Sequence, residues 1–252
     1  MTLREATFLA AYYGVTGAYA LAALPRLAAR RSTAGLVRSN ARAVRGLLRA
    51  VGGVAVTVEG REHLPDGPYI LAAKHQSWGD GYVWLSAIDG LAPVIGAHVL
   101  KPDIVRRVAL RAGAVVVDND GPAAARGRAL RAAVEAARVS GRPLLVFPEG
   151  AISEEDGHRA FRPGVFRLYD ALGWPVVPAA TDLGARWPLA EGLVLRPGPA
   201  TARLLPPIPP GLGRTAFMAR LEEAVVGETD RLRAGHGVEA GRERPPVHEH
   251  HR

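Results

Sequence analysis

From Val54 onward, short apolar runs alternate with longer segments of helical character, and that alternation leaves few folds open. Runs of four or five apolar residues set off by turn residues read as strands buried on both faces, and strands that alternate with helices build an α/β domain. The candidate strands are 54–58 (VAVTV), 69–73 (YILAA), 92–95 (APVI), 114–117 (AVVV), 143–147 (PLLVF), 175–179 (PVVPA), 193–196 and 201–205. Helices are predicted over 80–88, 102–112, 122–139, 163–172 and 214–233. Pro102 and Pro122 stand where a first helical turn tolerates proline, and Gly113, Gly141 and Gly173 stand where helices stop. The expected fold class is α/β, a mixed, largely parallel sheet flanked by helices and preceded by N-terminal membrane-associated helices. The predicted organisation is 1–51 for those helices, 52–234 for the α/β domain and 235–252 for a mobile tail with little to bury.

The N-terminal part has a different pattern. Ala6 to Pro25 are 20 residues without a charge, about 30 Å as a helix and long enough to cross hydrocarbon. Seven of them are Ala and three are Tyr, so the apolar content is weaker than the length. Arg4, the run and Ala20 to Ala23 also imitate a signal peptide, but the basic residues that follow favour retention. Ala10, Gly14, Ala18 and Ala22 recur every fourth residue, either as a helix-packing face or as plain Ala-rich composition. Over 33–51, Val37, Ala41, Val44, Leu48 and Val51 form one helix face, and Arg38, Arg42, Arg45 and Arg49 form a basic stripe beside it. Two uses fit this pattern: a helix lying on anionic lipid, or a surface helix packed on its own domain. Arg26, Arg30 and Arg31 place the positive, cytoplasmic side after the apolar run.

Composition narrows the chemistry. The chain has no Cys, which removes thiol nucleophiles, disulfides and cysteine-ligated metals. A net charge of +8 points to an anionic partner. Nucleic acid is disfavoured, because the arginines are interleaved with Ala and Val and no aromatic stacking platform accompanies them. His63, His98 and His158 lack partners at a telling spacing, and His248, Glu249, His250 and His251 read as a solvated tail, so no metal is expected.

Two blocks carry candidate chemistry. Lys74-His75-Gln76-Ser77-Trp78-Gly79-Asp80 follows an apolar strand and precedes a helix, the junction at which α/β proteins place sites. A turn through Gly79 brings the Asp80 carboxylate back onto the His75 imidazole, making a general base; the alternative is that Asp80 merely caps the helix. Ser77 is the one hydroxyl in this block, but it lacks the setting of a nucleophile elbow. Backbone N–H groups from Ser77 to Gly81 are candidate donors to an oxyanion. The second block, Phe147-Pro148-Glu149-Gly150, ends another strand and holds a carboxylate on a tight turn, unless it is only a strand-terminating turn.

In order, separation and surroundings these blocks resemble the glycerolipid acyltransferase family that includes bacterial 1-acylglycerol-3-phosphate acyltransferases. His75 and Asp80 match its H-x-x-x-x-D motif and Phe147 to Gly150 its F-P-E-G. Phe161-Arg162-Pro163-Gly164 resembles its F-[KR]-x-G, and Pro175 to Pro178 resembles its fourth, proline-bearing motif. The resemblance covers residues 54 to about 205. It implies transfer of a fatty acyl group from an acyl carrier protein or coenzyme A to a lysolipid hydroxyl, most simply 1-acylglycerol-3-phosphate to phosphatidate. No cofactor is implied, and the setting is the cytoplasmic face of the inner membrane with its anionic surface as a partner. In that scheme His75 is the base, Asp80 orients it, and Glu149 and Gly150 hold the acceptor. The chain departs from the pattern in three places: Lys74 stands where Asn is common, Asn119 where the second motif closes on Arg, and Ala151-Ile152 before Ser153 where Thr-Arg before Ser is usual. The two absent arginines belong to the acceptor's phosphate side, so Lys101, Arg111, Arg162 and Arg167 are the candidate replacements. The rival readings are an acceptor without a phosphate monoester, such as a lyso-aminolipid, and a membrane-associated lipid-binding protein without activity.

Overall fold

The strands are apolar on both faces because helices cover both. A computed structural model describes residues 1–96, 100, 103–117, 123–154, 157–189 and 193–235, with nothing described of the side chains of 123–126. Seven strands form one sheet: β1 (Val54–Glu59), β2 (Ile70–Ala73), β3 (Ala92–Gly96), β4 (Val115–Val117), β5 (Leu144–Val146), β6 (Val176–Thr181) and β7 (Gly198–Leu204), in the order β1-β7-β6-β2-β5-β3-β4. All neighbours pair in parallel except β6 and β7. The sheet is therefore mixed and largely parallel, as the pattern predicted. In the central strand β2, Ile70 and Ala72 face one layer and Leu71 and Ala73 the other, the period-two split that a pleated strand imposes. Ile70 is in register with Leu144 on β5 and Val176 on β6, so the three strands start together at one edge.

One layer contains α5 (Ala123–Ser140), α6 (Gly164–Leu172) and α7 (Arg214–Gly235), packed on Ile70, Ala72, Leu144 and Val176. Against the other face pack α3 (Asp80–Ala87) and α2 (Ala34–Ala50), through Val83, Trp84 and Leu48. Helix α4 (Asp103–Arg111) is joined to this layer by Thr33, whose hydroxyl donates to the Val108 carbonyl at 2.7 Å.

The structure decides between the two uses of the 33–51 helix. Ala41, Val44 and Leu48 of α2 are buried against the domain, so the apolar face that suited lipid is core. The basic stripe divides accordingly: Arg38 pairs with Asp89 and Arg45 donates to the Val56 carbonyl at 2.6 Å, while Arg42 and Arg49 are exposed. Helix α1 (Leu3–Ala28) behaves differently. It is long and apolar enough to cross a membrane, yet only 11% of its most apolar window is buried. The domain touches it near both ends, through Phe8 and through Ala23 and Leu27. Phe8 stands edge-on to Trp187, with ring centroids 5.3 Å apart. Ala10, Gly14, Ala18 and Ala22 face outward, so the small-residue row is not a helix-packing face within the chain.

One predicted strand does not form. Over 193–196 the backbone donors go elsewhere: the Leu195 N–H to the Glu5 carboxylate at 3.3 Å and the Arg196 N–H to the Arg186 carbonyl at 2.8 Å. A segment tied to a helix start and a loop has no donors left for a ladder. Of the predicted tail, Gly235 ends α7; the rest of it, His98, Lys101 and Asn119 lie outside the described residues.

Candidate active site

Strands β2 and β5 are neighbours, so their C-terminal ends place the two motif blocks side by side. After Ala73 the chain turns through 74–79 into α3, whose first residue is Asp80. Asp80 Oδ2 accepts three donors: His75 Nδ1 at 3.1 Å, the Gln76 N–H at 2.7 Å and the Ser77 N–H at 2.8 Å. The carboxylate thus pins the turn and the imidazole together; it does not cap α3, whose N-cap is Gly79 without a side-chain cap, because the amides it accepts, Gln76 and Ser77, precede the helix. Gly79 is required for packing and not for backbone freedom. Its φ of −77° is ordinary, but an added Cβ would stand 2.8 Å from Leu183 Cδ2 and 2.9 Å from the Trp187 ring. With Nδ1–H donated to Asp80, the His75 Nε2 keeps its lone pair, a tautomer inferred from the network. The other side of the imidazole is covered by Phe147, stacked at 3.9 Å between centroids and 15° between planes. Ser77 is fully buried, and its hydroxyl accepts the Gly79 N–H at 3.0 Å as part of the turn.

A buried polar cluster adjoins His75. Lys74 and Ser153 are fully buried and Glu149 is 1% exposed. Lys74 Nζ donates to Glu149 Oε1, to Ser153 Oγ at 3.2 Å and to the Gly157 carbonyl at 3.4 Å, and Ser153 Oγ donates to Glu149 Oε2. Burial pushes the Lys74 ammonium below the usual lysine range, and the Glu149 carboxylate opposes that shift. The Ser153 N–H donates to the His75 carbonyl at 2.8 Å, which ties the cluster to the imidazole-bearing residue.

The expected acceptor-side residues separate. Glu149 is at the site, and both of its carboxylate oxygens are engaged inside the protein. Gly150 takes φ +70° to close the turn from Phe147, and an added Cβ would stand 2.7 Å from Arg162 Cδ; its visible role is to let that side chain cross. Arg162 lines a cleft of about 390 Å³ together with Glu149, Glu154, His158 and Arg159. Arg167 is exposed on the first turn of α6. Arg111 is displaced from the site. It ends α4, the helix that leads back to the start of β4, so it lies at the opposite edge of the parallel strands from His75, donating to the Arg30 carbonyl at 3.2 Å. Two features escaped the sequence reading: Arg159, which belongs to no motif, and the pairing of His158 with Asp230 at 3.0 Å. A second arginine three residues before Arg162 is the signal that was available. Among the described residues no group of three or more acidic or histidine side chains is arranged to hold a metal.

Comparisons with known proteins bear on the family and the fold. A family model described as Acyltransferase matches residues 55–182. The chain is 26% identical over 144 residues to a 1-acyl-sn-glycerol-3-phosphate acyltransferase of Pseudomonas aeruginosa, covering 57% of this chain and 56% of that protein. It is 28% identical over 168 residues to the enzyme of the same name from Limnanthes douglasii, covering 66% of this chain and 58% of that protein. The matches therefore span a little over half the length of these curated relatives. The crystal structure of the 1-acyl-sn-glycerophosphate (LPA) acyltransferase of Thermotoga maritima shares the fold, with a TM-score of 0.70 at 22% identity over 92% of this chain and 97% of that one. With the sheet, the paired strand ends and the family match in agreement, the chain belongs to the acyltransferase family.

Proposed function

We propose that this chain moves a fatty acyl group from a thioester, on an acyl carrier protein or coenzyme A, to the free hydroxyl of 1-acylglycerol-3-phosphate, forming phosphatidate. The observation that carries the reading is the His75–Asp80 pair, 3.1 Å apart, with Nε2 left as a base. His75 Nε2 takes the proton of the acceptor hydroxyl as its oxygen attacks the thioester carbonyl carbon. Asp80 stabilises the imidazolium that forms. Collapse of the tetrahedral intermediate expels the thiolate, which takes the proton back from His75, leaving a free thiol and an ester. No acyl-enzyme is needed, and the chain has no Cys to form one. The Ser77, Gly79 and Asp80 amides are engaged within the turn, so Trp78 and Gly81 are the remaining amide donors of that stretch for the developing oxyanion.

Arg162 and Arg159, in the cleft that Glu149 borders, are the cations we assign to the acceptor's phosphate, with Arg167 one turn away on α6. The absence of arginine at Asn119 and Ile152 favours a second reading, an acceptor without a phosphate monoester. In both, residues 1–51 associate the catalytic domain, 52–234, with the cytoplasmic face of the membrane. Contact near both ends of α1 favours a helix lying in the interface over one that crosses, because a crossing helix carries one end about 30 Å from the domain.

The test is the full chain incubated with an acyl-CoA or acyl carrier protein thioester and either lysophosphatidate or a lyso-aminolipid, with products read by mass. Phosphatidate is expected, and His75→Ala is expected to lower turnover by roughly 10² to 10⁴. Acylation of the lyso-aminolipid alone would replace the acceptor. No product from either, with lipid binding intact, would replace catalysis by binding.

A further inference from the structure

Lys74, Glu149 and Ser153 form a closed set. The three ammonium donors of Lys74 have three acceptors, both Glu149 oxygens have a donor, and the Ser153 hydroxyl both gives and receives. Each of these side chains is buried. A buried ion pair seldom adds net stability over apolar residues of similar volume, because desolvating two charges offsets their attraction. Stability alone is thus a poor reason for charges here, and position is a better one. Lys74 is the residue before His75, and its N–H extends the ladder to the Ala179 carbonyl at 2.9 Å. Ser153, on the far side of the cluster, holds the His75 carbonyl. The cluster therefore grips the backbone on both sides of the His75 Cα, while Asp80 and Phe147 fix the ring.

We infer that Lys74, Glu149 and Ser153 are positioning residues for His75, and that the Glu149 carboxylate does not touch the acceptor. The inference rests on the proposed role of His75 as base. To reach an acceptor, Glu149 would have to release Lys74 and strand a buried ammonium. One new charge-assisted hydrogen bond returns less than that loss. Misplacing a base by about an ångström costs up to roughly 100-fold in turnover, so removing the grip acts on the chemical step and leaves the acceptor's binding site as it is.

The test is steady-state kinetics on the full chain with a defined lysolipid acceptor and an acyl thioester, together with thermal melting. Glu149→Gln keeps the shape and loses the charge. It is expected to lower kcat by about 10- to 100-fold with the acceptor KM within about twofold. Lys74→Met combined with Glu149→Leu removes both charges and strands neither, so it is expected to melt near the parent temperature with kcat still low; it carries the test if Glu149→Gln does not fold. A Glu149→Gln protein with parental kcat and an acceptor KM raised tenfold or more would make Glu149 an acceptor ligand. Parental kcat in the double variant would reduce the cluster to a fold element. Either result overturns the positioning role alone, whereas parental turnover in His75→Ala would overturn the reading of the base and this role with it.

Discussion

At the scale of single residues, the site depends on how tightly the turn between β2 and α3 is packed. Gly79 at its end and Gly81 in the first turn of α3 stand two positions apart and answer to different constraints. A methyl on Gly79 meets Leu183 and Trp187 below 3 Å, whereas nothing lies within 4 Å of one on Gly81. Gly79→Ala is expected to cost about 1 to 3 kcal/mol of stability, as overpacking does, and to lower turnover by shifting His75. Gly81→Ala is expected to leave both near the parent value. Melting curves and turnover for the two variants check this, and equal behaviour would show that Trp187 yields. Lys74 shows what sequence reasoning misses at this scale. As a letter it is an oddity in a motif; only the β2–β5 pairing shows that it faces Glu149, 75 residues along the chain.

At the scale of elements, α2 is where two physical uses of one pattern had to be decided. An apolar face with an adjacent basic stripe suits a lipid surface and a domain surface alike, and the burial of Ala41, Val44 and Leu48 settles it for the domain. The four arginines therefore cease to be equivalent. Arg45→Gln removes a donor from the Val56 carbonyl and is expected to lower stability by about 1 kcal/mol. Changing exposed Arg42 and Arg49 to Gln is expected to leave melting unchanged and to weaken binding to anionic vesicles by about 1 kcal/mol per charge at low salt, read by vesicle sedimentation. Unchanged binding would make them a solvated face. The start of β2 offers a pH test. Burial pushes the Tyr69 phenol from 10.0 up to about 12. The folded value lies above the unfolded one, so this contribution is whole below pH 10 and is lost as pH rises from 10 through 12. The loss is on the order of 2 kcal/mol, and Tyr69→Phe is expected to remove it from the alkaline stability profile. A profile unchanged by the substitution would mean that the phenol is better solvated than its burial implies.

At the scale of the whole molecule, the sheet edge that carries His75 and α1 are physically joined. Phe8 packs on Trp187, Trp187 bounds the space beside Gly79, and the Tyr12 and Tyr82 hydroxyls meet at 2.7 Å, so the N-terminal half of α1 sits next to the turn that carries His75. The apolar side chains of Tyr13, Leu21 and Leu24 face outward from the same helix, at 66%, 68% and 48% exposure. On the proposed reading of the site as one for lipids, exposed apolar side chains concentrated on one helix beside it point to a membrane-facing surface. Changing these three to Ser is expected to abolish most binding to liposomes while the melting temperature stays near the parent's. Phe8→Ala, by contrast, is expected to cost about 3 to 5 kcal/mol of stability. Retained liposome binding in the triple variant would place the membrane contact elsewhere.

The alternation of apolar runs and helical periods by itself determined that this chain builds an α/β sheet, and all but one of the predicted strands and every predicted helix of the domain formed close to its place. Those signals are local: a strand buried on both faces must be apolar throughout, and a helix must show its period within a few turns. The order of the motifs was local too, and with it the family. The tertiary structure decided everything that depends on which element becomes whose neighbour. The 193–196 segment lost its strand because Glu5, far away in the sequence, took the Leu195 amide. Arg111 fell to the wrong edge of the sheet because a crossover helix in a parallel fold carries its last residue away from the end where its first lies. Glu149 changed from an open carboxylate to a closed one because Lys74 and Ser153 arrive from separate loops at adjacent strand ends. A sequence displays the pattern each element must satisfy alone, and with it a close pair such as His75 and Asp80; partners at long separation, as Lys74 is to Glu149, are chosen by packing.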